Sequence, residues 1–225
     1  MSYTFIENWF KKKGWELHDH QREMIQSATR GLSNLLIAPT GGGKTLAGFL
    51  PSIIELNAHP SDSLHTLYVS PLKALTVDVA RNLLNPLADM KLSITVETRT
   101  GDTPQSRRQR QRKSPPNILL TTPESLALLI SYPDSRTIFQ KLQCIIIDEL
   151  HALASTKRGD LLSLALTRLN RWSPTARRVG LSATIPAPNE MAAYLSKSKD
   201  SDDIKIIKAQ STKPPAIQIL VGKSR

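Results

Sequence analysis

The sequence predicts an α/β fold, a three-layer αβα domain wrapped around a mostly parallel central sheet. Three observations carry that expectation. Short apolar runs alternate with helix-like segments along most of the chain. Two of those runs, Asn34–Ala38 and Cys144–Ile147, stop abruptly at loops rich in glycine or acid, as strands of a buried parallel sheet do. Finally, 225 residues at 40% hydrophobic suffice for one large core, and for only one such domain.

The expected strands, in order, are Leu35–Ala38, Thr66–Ser70, Ser93–Thr98, Ile118–Thr121, Cys144–Ile147, Val179–Ala183 and Ile204–Ile207. These strand-like runs recur at regular intervals along the chain. The segments between them, Thr45–Ala58, Leu72–Met90, Pro123–Ser131, Gly159–Arg171 and Asn189–Leu195, read as helices. Pro123 suits a first turn, where its missing N–H costs nothing. Pro51 and Pro86 fall inside expected helices and should kink or end them. Residues 1–30 are expected to form an N-terminal helical extension and 31–208 the α/β domain. Residues 209–225, polar with a Pro214-Pro215 step, read as an exit linker.

Composition narrows the function classes. The single cysteine, Cys144, lies in an expected core strand. It excludes a disulfide framework and is read as packing in a reducing interior. No signal peptide or membrane span is visible, so a cytoplasmic location is expected. The five histidines lack the paired spacing of a zinc site, and no internal repeat appears. Net charge is +11, which suggests a polyanionic partner. Arg107, Arg108, Arg110, Arg112 and Lys113 fall within seven residues. On a helix they would cover most of the circumference, so some must face solvent. With Arg99 just upstream, the run points to phosphate-backbone contact.

Two motifs carry the chemistry. Ala38-Pro39-Thr40-Gly41-Gly42-Gly43-Lys44-Thr45 follows one strand and opens a helix, the context a phosphate-binding loop requires. Glycines let backbone N–H groups converge on an anion, and the helix N-terminus adds its dipole. Thr40, Gly41, Gly42 and Gly43 would form the cradle. Lys44 would reach the β- and γ-phosphates, and Thr45 would hold Mg²⁺. Ala38 stands where the strict pattern has glycine. About a hundred residues later Asp148-Glu149-Leu150-His151 closes another strand. Asp148 would bind Mg²⁺ from the side opposite Thr45, and Glu149 would orient and deprotonate the attacking water. Together the motifs imply hydrolysis of a nucleoside triphosphate.

With these motifs in register, the chain resembles the first RecA-like domain, a P-loop NTPase, of a superfamily 2 DExH-box helicase. The resemblance runs from about Phe5 to Thr184 and is closest to the bacterial Lhr-like helicases, with their ligase-associated branch as one candidate. It implies that Gln21 reads the adenine edge of ATP, while Trp15 either stacks on the base or packs. Ser70, Pro71 and Lys73 resemble a loop that grips one strand's phosphates. Arg99, Thr100, Gly101 and Asp102, and then Thr122, Pro123, Glu124 and Ser125, resemble two further nucleic-acid motifs. Ser182, Ala183 and Thr184 are similar to the motif that couples hydrolysis to strand movement, with His151 as relay.

The same resemblance implies ATP and Mg²⁺ as cofactors and single-stranded DNA as partner, with RNA left open. It also implies 3′-to-5′ movement, a DNA-repair role and a ligase or nuclease partner. Such helicases carry a second RecA-like domain bearing an arginine-rich motif, and no Gln-x-x-Gly-Arg-like run occurs here. The chain is therefore expected to be an excised domain, a truncated frame or half of a split enzyme, with 209–225 leading toward the second domain. The leading expectation is the motor half of a DNA helicase or translocase. The alternatives are a non-catalytic ATP- and nucleic-acid-binding module, or a subunit of a duplex translocase.

Overall fold

In the computed structural model of the protein, residues 3–183, 185–197 and 204–209 are described. Seven strands form one parallel sheet: β1 (Ser33–Ile37), β2 (Thr66–Val69), β3 (Val96–Arg99), β4 (Ile118–Thr121), β5 (Cys144–Ile147), β6 (Arg177–Ser182) and β7 (Ile204–Lys208). Their spatial order is β3-β4-β2-β5-β6-β1-β7. Every pairing is parallel. The helices are α1 (Thr4–Lys12), α2 (Asp19–Thr29), α3 (Lys44–Ala58), α4 (Lys73–Asp89) and α5 (Gln105–Lys113). They continue with α6 (Pro123–Ile130), α7 (Ser135–Phe139), α8 (Leu150–Leu153), α9 (Lys157–Trp172) and α10 (Pro188–Leu195). The αβα architecture is as expected.

Strand alternation divides the core in two. Leu35, Ile37, Leu67, Val69, Ile145 and Ile147 face a layer of α6, α7, α9 and α10, where Leu126, Ile138, Leu162 and Leu195 meet them. Leu36, Tyr68, Leu120, Ile146 and Leu181 face α3 and α4, through Phe49, Ile53, Val79 and Leu83. Beyond α3 a third cluster ties Ile6, Trp9, Phe10, Leu17 and Ile25 to Leu50 and Ile54, so α1 and α2 are clamped to the helix that follows the phosphate loop. Cys144 is buried, which pushes its thiol pKa up, in keeping with packing. No helix among the described residues is long and apolar enough to cross a membrane.

Two expectations need correction. Neither Pro51 nor Pro86 ends its helix: α3 and α4 run through both. Pro51 is buried, and α3 continues past it despite the lost backbone bond. The third strand starts at Val96, not Ser93, because Thr95 is drawn into a side-chain pairing with Asn117. The short helices α7 and α8 were not expected. Gly180 makes α8 possible: a Cβ there would lie 2.8 Å from Leu150 and 2.6 Å from Leu195. Its absence lets both helices settle onto β6.

Candidate functional site

The ends of β5, β6 and β1 are neighbours in the sheet, and each delivers one part of the site. The chain leaves β1 through the loop 38–43 and enters α3 at Lys44. Gly41 and Gly43 have φ of +80° and +70°, a region where a side chain would be strained. Gly43 is constrained twice, since a Cβ would sit 2.8 Å from Nε2 of Gln21. Thr40 and Gly41 are exposed, and Thr45 is half-buried in the first turn of α3. The α3 N-terminus thus presents free N–H groups beside a lysine whose side chain is otherwise shielded. Lys44 is 8% exposed, with Nζ 3.4 Å from Oε1 of Glu149.

Asp148, 1% exposed, is fixed by two donors. The Tyr68 hydroxyl donates to Oδ2 at 2.6 Å, and the Glu149 N–H donates to Oδ1 at 2.8 Å. Burial pushes the Asp148 pKa up. Burial, and then the Asp148 charge, push Tyr68 far up, so the phenol stays a donor. Glu149 adopts φ +48°, a left-handed conformation that costs a non-glycine residue about 1–2 kcal/mol. That turn lets one carboxylate face two partners: Oε1 meets Lys44, and Oε2 lies 3.4 Å from Nε2 of His151. His151 Nδ1 is in turn 3.1 Å from Oγ of Ser182. A continuous polar chain, Lys44–Glu149–His151–Ser182, therefore crosses three strand ends.

The donor set suits Mg²⁺. Each Asp148 oxygen keeps a lone pair beyond its hydrogen bond, on the kind of hard carboxylate donor that Mg²⁺ takes. Mg²⁺ is bound through one or two such oxygens, with phosphates and waters completing its shell.

Gln21 is 2% exposed and tied locally. Its Oε1 accepts from the His18 N–H at 3.0 Å, and its Nε2 donates to the Gly43 carbonyl at 3.4 Å. One lone pair on Oε1 and one N–H on Nε2 remain beyond these two bonds. Trp15 packs edge-on against Trp9 and Phe10 and is still 56% exposed. His20 stacks on His18 with centroids 5.3 Å apart, and burial pushes its pKa down.

The loops after β2, β3 and β4, also neighbours, form the adjoining stretch of the same rim. Lys73 Nζ, next to Ser70 and Pro71, pairs with Asp102 at 2.9 Å and bridges two of the three loops. Thr122 caps α6 by accepting from the Ser125 N–H, with Pro123 in the first turn. Glu124 is held by Arg158. Ser70, Thr122 and Ser182 are buried, Ala183 is half-buried, and Thr184 lies outside the described residues.

The basic run faces solvent in part, as expected: Arg107, Arg110 and Lys113 are exposed, while Arg108 and Arg112 are half-buried. Arg99 is 2% exposed and donates inward, to the Arg108 carbonyl and to Gln111. Arg108 in turn donates to the carbonyls of Thr100 and Gly101. Arg107 and Arg110 both pair with Glu97, and Arg112 makes a two-pronged pair with Asp134 while lying over the Tyr132 ring. Arg99 and Arg108 thus buttress the loop 99–103, while Arg107, Arg110 and Arg112 pair with Glu97 and Asp134. Tyr68 was missed by sequence reasoning. The only signal was a phenol inside an apolar strand, where a hydroxyl needs a partner.

Fold and site together define a P-loop nucleotide-binding domain. The chain belongs to the DEAD/DEAH box helicase family, whose profile matches residues 18–192. It is 45% identical over 190 residues to a Lhr helicase/probable uracil glycosylase of Mycolicibacterium smegmatis, covering 78% of this chain and 12% of that protein. It is 39% identical over 207 residues to the ATP-dependent helicase Lhr-Core of Methanothermobacter thermautotrophicus, covering 86% of this chain and 24% of that one. The structure of Mycobacterium smegmatis helicase Lhr bound to ssDNA and AMP-PNP matches with a TM-score of 0.84 at 40% identity, over 92% of this chain and 27% of that chain. The helicase MrfA bound to DNA matches with a TM-score of 0.78 at 26% identity, over 92% of this chain and 30% of that chain. The chain thus spans 12% and 24% of the two curated relatives. The Lhr-like resemblance is borne out.

Proposed function

We propose that this chain is the ATP- and nucleic-acid-binding domain of an ATP-dependent DNA helicase or translocase. The polar chain Lys44–Glu149–His151–Ser182 supports this best, because it links a phosphate-reaching cation to a water-activating carboxylate and a coupling loop. On nucleotide binding Lys44 turns to the β- and γ-phosphates and releases Glu149. Glu149 then orients the attacking water and takes its proton, while His151 holds the second carboxylate oxygen. Thr45 and Asp148 would hold Mg²⁺, which supplies charge neutralisation at the phosphates. Gln21 reads adenine from the extension 1–30, on a motor core of 31–208. Residues 209–225 lead toward a second RecA-like domain, which supplies arginines in cis or trans.

Single-stranded DNA is assigned to the rim formed by Ser70–Lys73, Arg99–Asp102 and Thr122–Ser125. A similar helicase binds ssDNA together with AMP-PNP, which favours that choice of strand and nucleotide. Movement from 3′ to 5′, a role in DNA repair, a ligase or nuclease partner and a cytoplasmic setting belong to the same proposal. Steady-state ATP hydrolysis by this chain, with and without single-stranded DNA and with Glu149→Gln as blank, tests it. DNA-stimulated turnover above the blank is expected when a second domain or a trans-acting arginine is supplied. ATP and DNA bound with no turnover under any of these conditions would make the chain a non-catalytic binding module. Binding of neither sinks the reading.

A further inference from the structure

Tyr68 stands apart from the other core residues of the sheet. It lies in β2 among Leu67 and Val69, fully buried, and its ring stacks on Phe49 of α3 with centroids 5.3 Å apart. Phenylalanine would satisfy that packing. A buried hydroxyl costs about 1–3 kcal/mol when it lacks a partner, so its presence calls for a specific one. The partner it donates to is Oδ2 of Asp148, at 2.6 Å, with the Ser70 side chain also against the hydroxyl.

The sheet register explains why the reach is right. Tyr68 pairs with Ile146 and Val69 with Ile147, so Tyr68 sits beside the strand end from which Asp148 emerges. The Asp148 N–H still donates to the Val69 carbonyl at 2.9 Å, which anchors its backbone to the same strand. The carboxylate is therefore gripped at both oxygens. Oδ1 is held by its own chain neighbour, and Oδ2 by a ring rigid in the core. Removing the phenol oxygen leaves one grip, about which the carboxylate can rotate.

We propose that Tyr68 is a positioning residue, whose hydroxyl fixes the Asp148 carboxylate in the orientation that takes the nucleotide-bound divalent cation. This rests on the nucleotide-site reading above. The partners that orient metal ligands typically contribute 10–100-fold to metal affinity. Tyr68→Phe keeps the ring and its stacking. In the whole chain with AMP-PNP, Mn²⁺ binding followed by electron paramagnetic resonance should weaken by about tenfold or more. Affinity for a fluorescent ATP analogue in EDTA should stay the same.

A merely structural hydroxyl would not separate those two readouts. Mn²⁺ affinity within about twofold of wild type overturns the proposal, as does an equal loss of metal-free nucleotide affinity. The Asp148→Ala background supplies the second check: there Tyr68→Phe should cost no further Mn²⁺ affinity, and a further loss of similar size overturns the assignment. Failure of the wild-type chain to take up Mn²⁺ with nucleotide is a different result, and it overturns the nucleotide-site reading itself.

Discussion

The two halves of the sheet's carboxyl rim are built on opposite principles. At the ends of β1, β5 and β6, functional side chains are sheltered and touch one another: Lys44 meets Glu149, Glu149 meets His151, His151 meets Ser182. At the ends of β2, β3 and β4 the charges are more exposed and are tied to supporting partners, as in the Lys73–Asp102 and Glu124–Arg158 pairs. Chemistry on a phosphate gains from groups oriented in advance, away from water. A grip on a moving phosphate backbone gains from contacts that exchange cheaply. The contrast predicts large, discrete effects on the first half and graded, salt-dependent ones on the second.

The largest effects should come from the cradle. Lys44→Ala should abolish detectable binding of a fluorescent ATP analogue. Glu149→Gln should leave binding near wild type while hydrolysis falls by about 10²–10⁴-fold, the span of a lost general base. Equal turnover in the wild type and both variants would erase the contrast at its strongest point.

Ser182→Ala comes next. It severs the polar chain at its far end, 3.1 Å from His151, without touching Lys44 or Glu149. Stimulation of hydrolysis by single-stranded DNA should fall by about tenfold, as a coupling loss of about 1.4 kcal/mol would produce. ATP affinity should hold. A parallel fall in both would mean that Ser182 only supports the cradle.

These differences track what could be read from sequence. The strands β4 and β5 have the expected bounds, because an apolar run between turn formers in a parallel sheet has little freedom. The strand–loop–helix placement of residues 38–45 was equally legible, since a glycine-rich turn between an apolar run and a helix start is set by local geometry. The pairing of the basic run was not legible. Arg107 and Arg110 face solvent as the sequence requires, yet both also pair with Glu97, which lies on a neighbouring element. Tyr68 escaped notice because its partner lies 80 residues away. Side-chain roles set by neighbouring strands are invisible until the sheet order is known.

Glu97 offers a smaller test on the second half of the rim. Burial alone would raise its pKa, but the donors on Arg110, Gln111 and Arg107 outweigh burial and hold it below the ordinary glutamate value. A depressed folded pKa means the stabilisation is present above the unfolded pKa and is lost as pH falls through the folded one. Glu97→Gln should therefore flatten the acid side of a urea-midpoint-against-pH profile below about pH 4.5, the region where glutamates titrate. An unchanged profile would mean that the basic helix α5 stays in place without its acidic hub.

Asp102→Asn should have the smallest effect and separates the two principles most finely. Lys73 and Asp102 form an exposed pair at 2.9 Å between two loops of the rim. Such pairs contribute only about 0–1 kcal/mol, so a DNA phosphate can displace the carboxylate at little cost. While the pair persists, Asp102 occupies the cation as a phosphate would. Its neutralisation should strengthen single-stranded DNA binding by a few-fold at low salt. It should also steepen the plot of log affinity against log salt by up to about 0.7, the increment for one phosphate on a single strand. Weaker binding would show instead that Asp102 holds Lys73 in register, and the exchangeable character argued for this half of the rim would then fail at its most exposed contact.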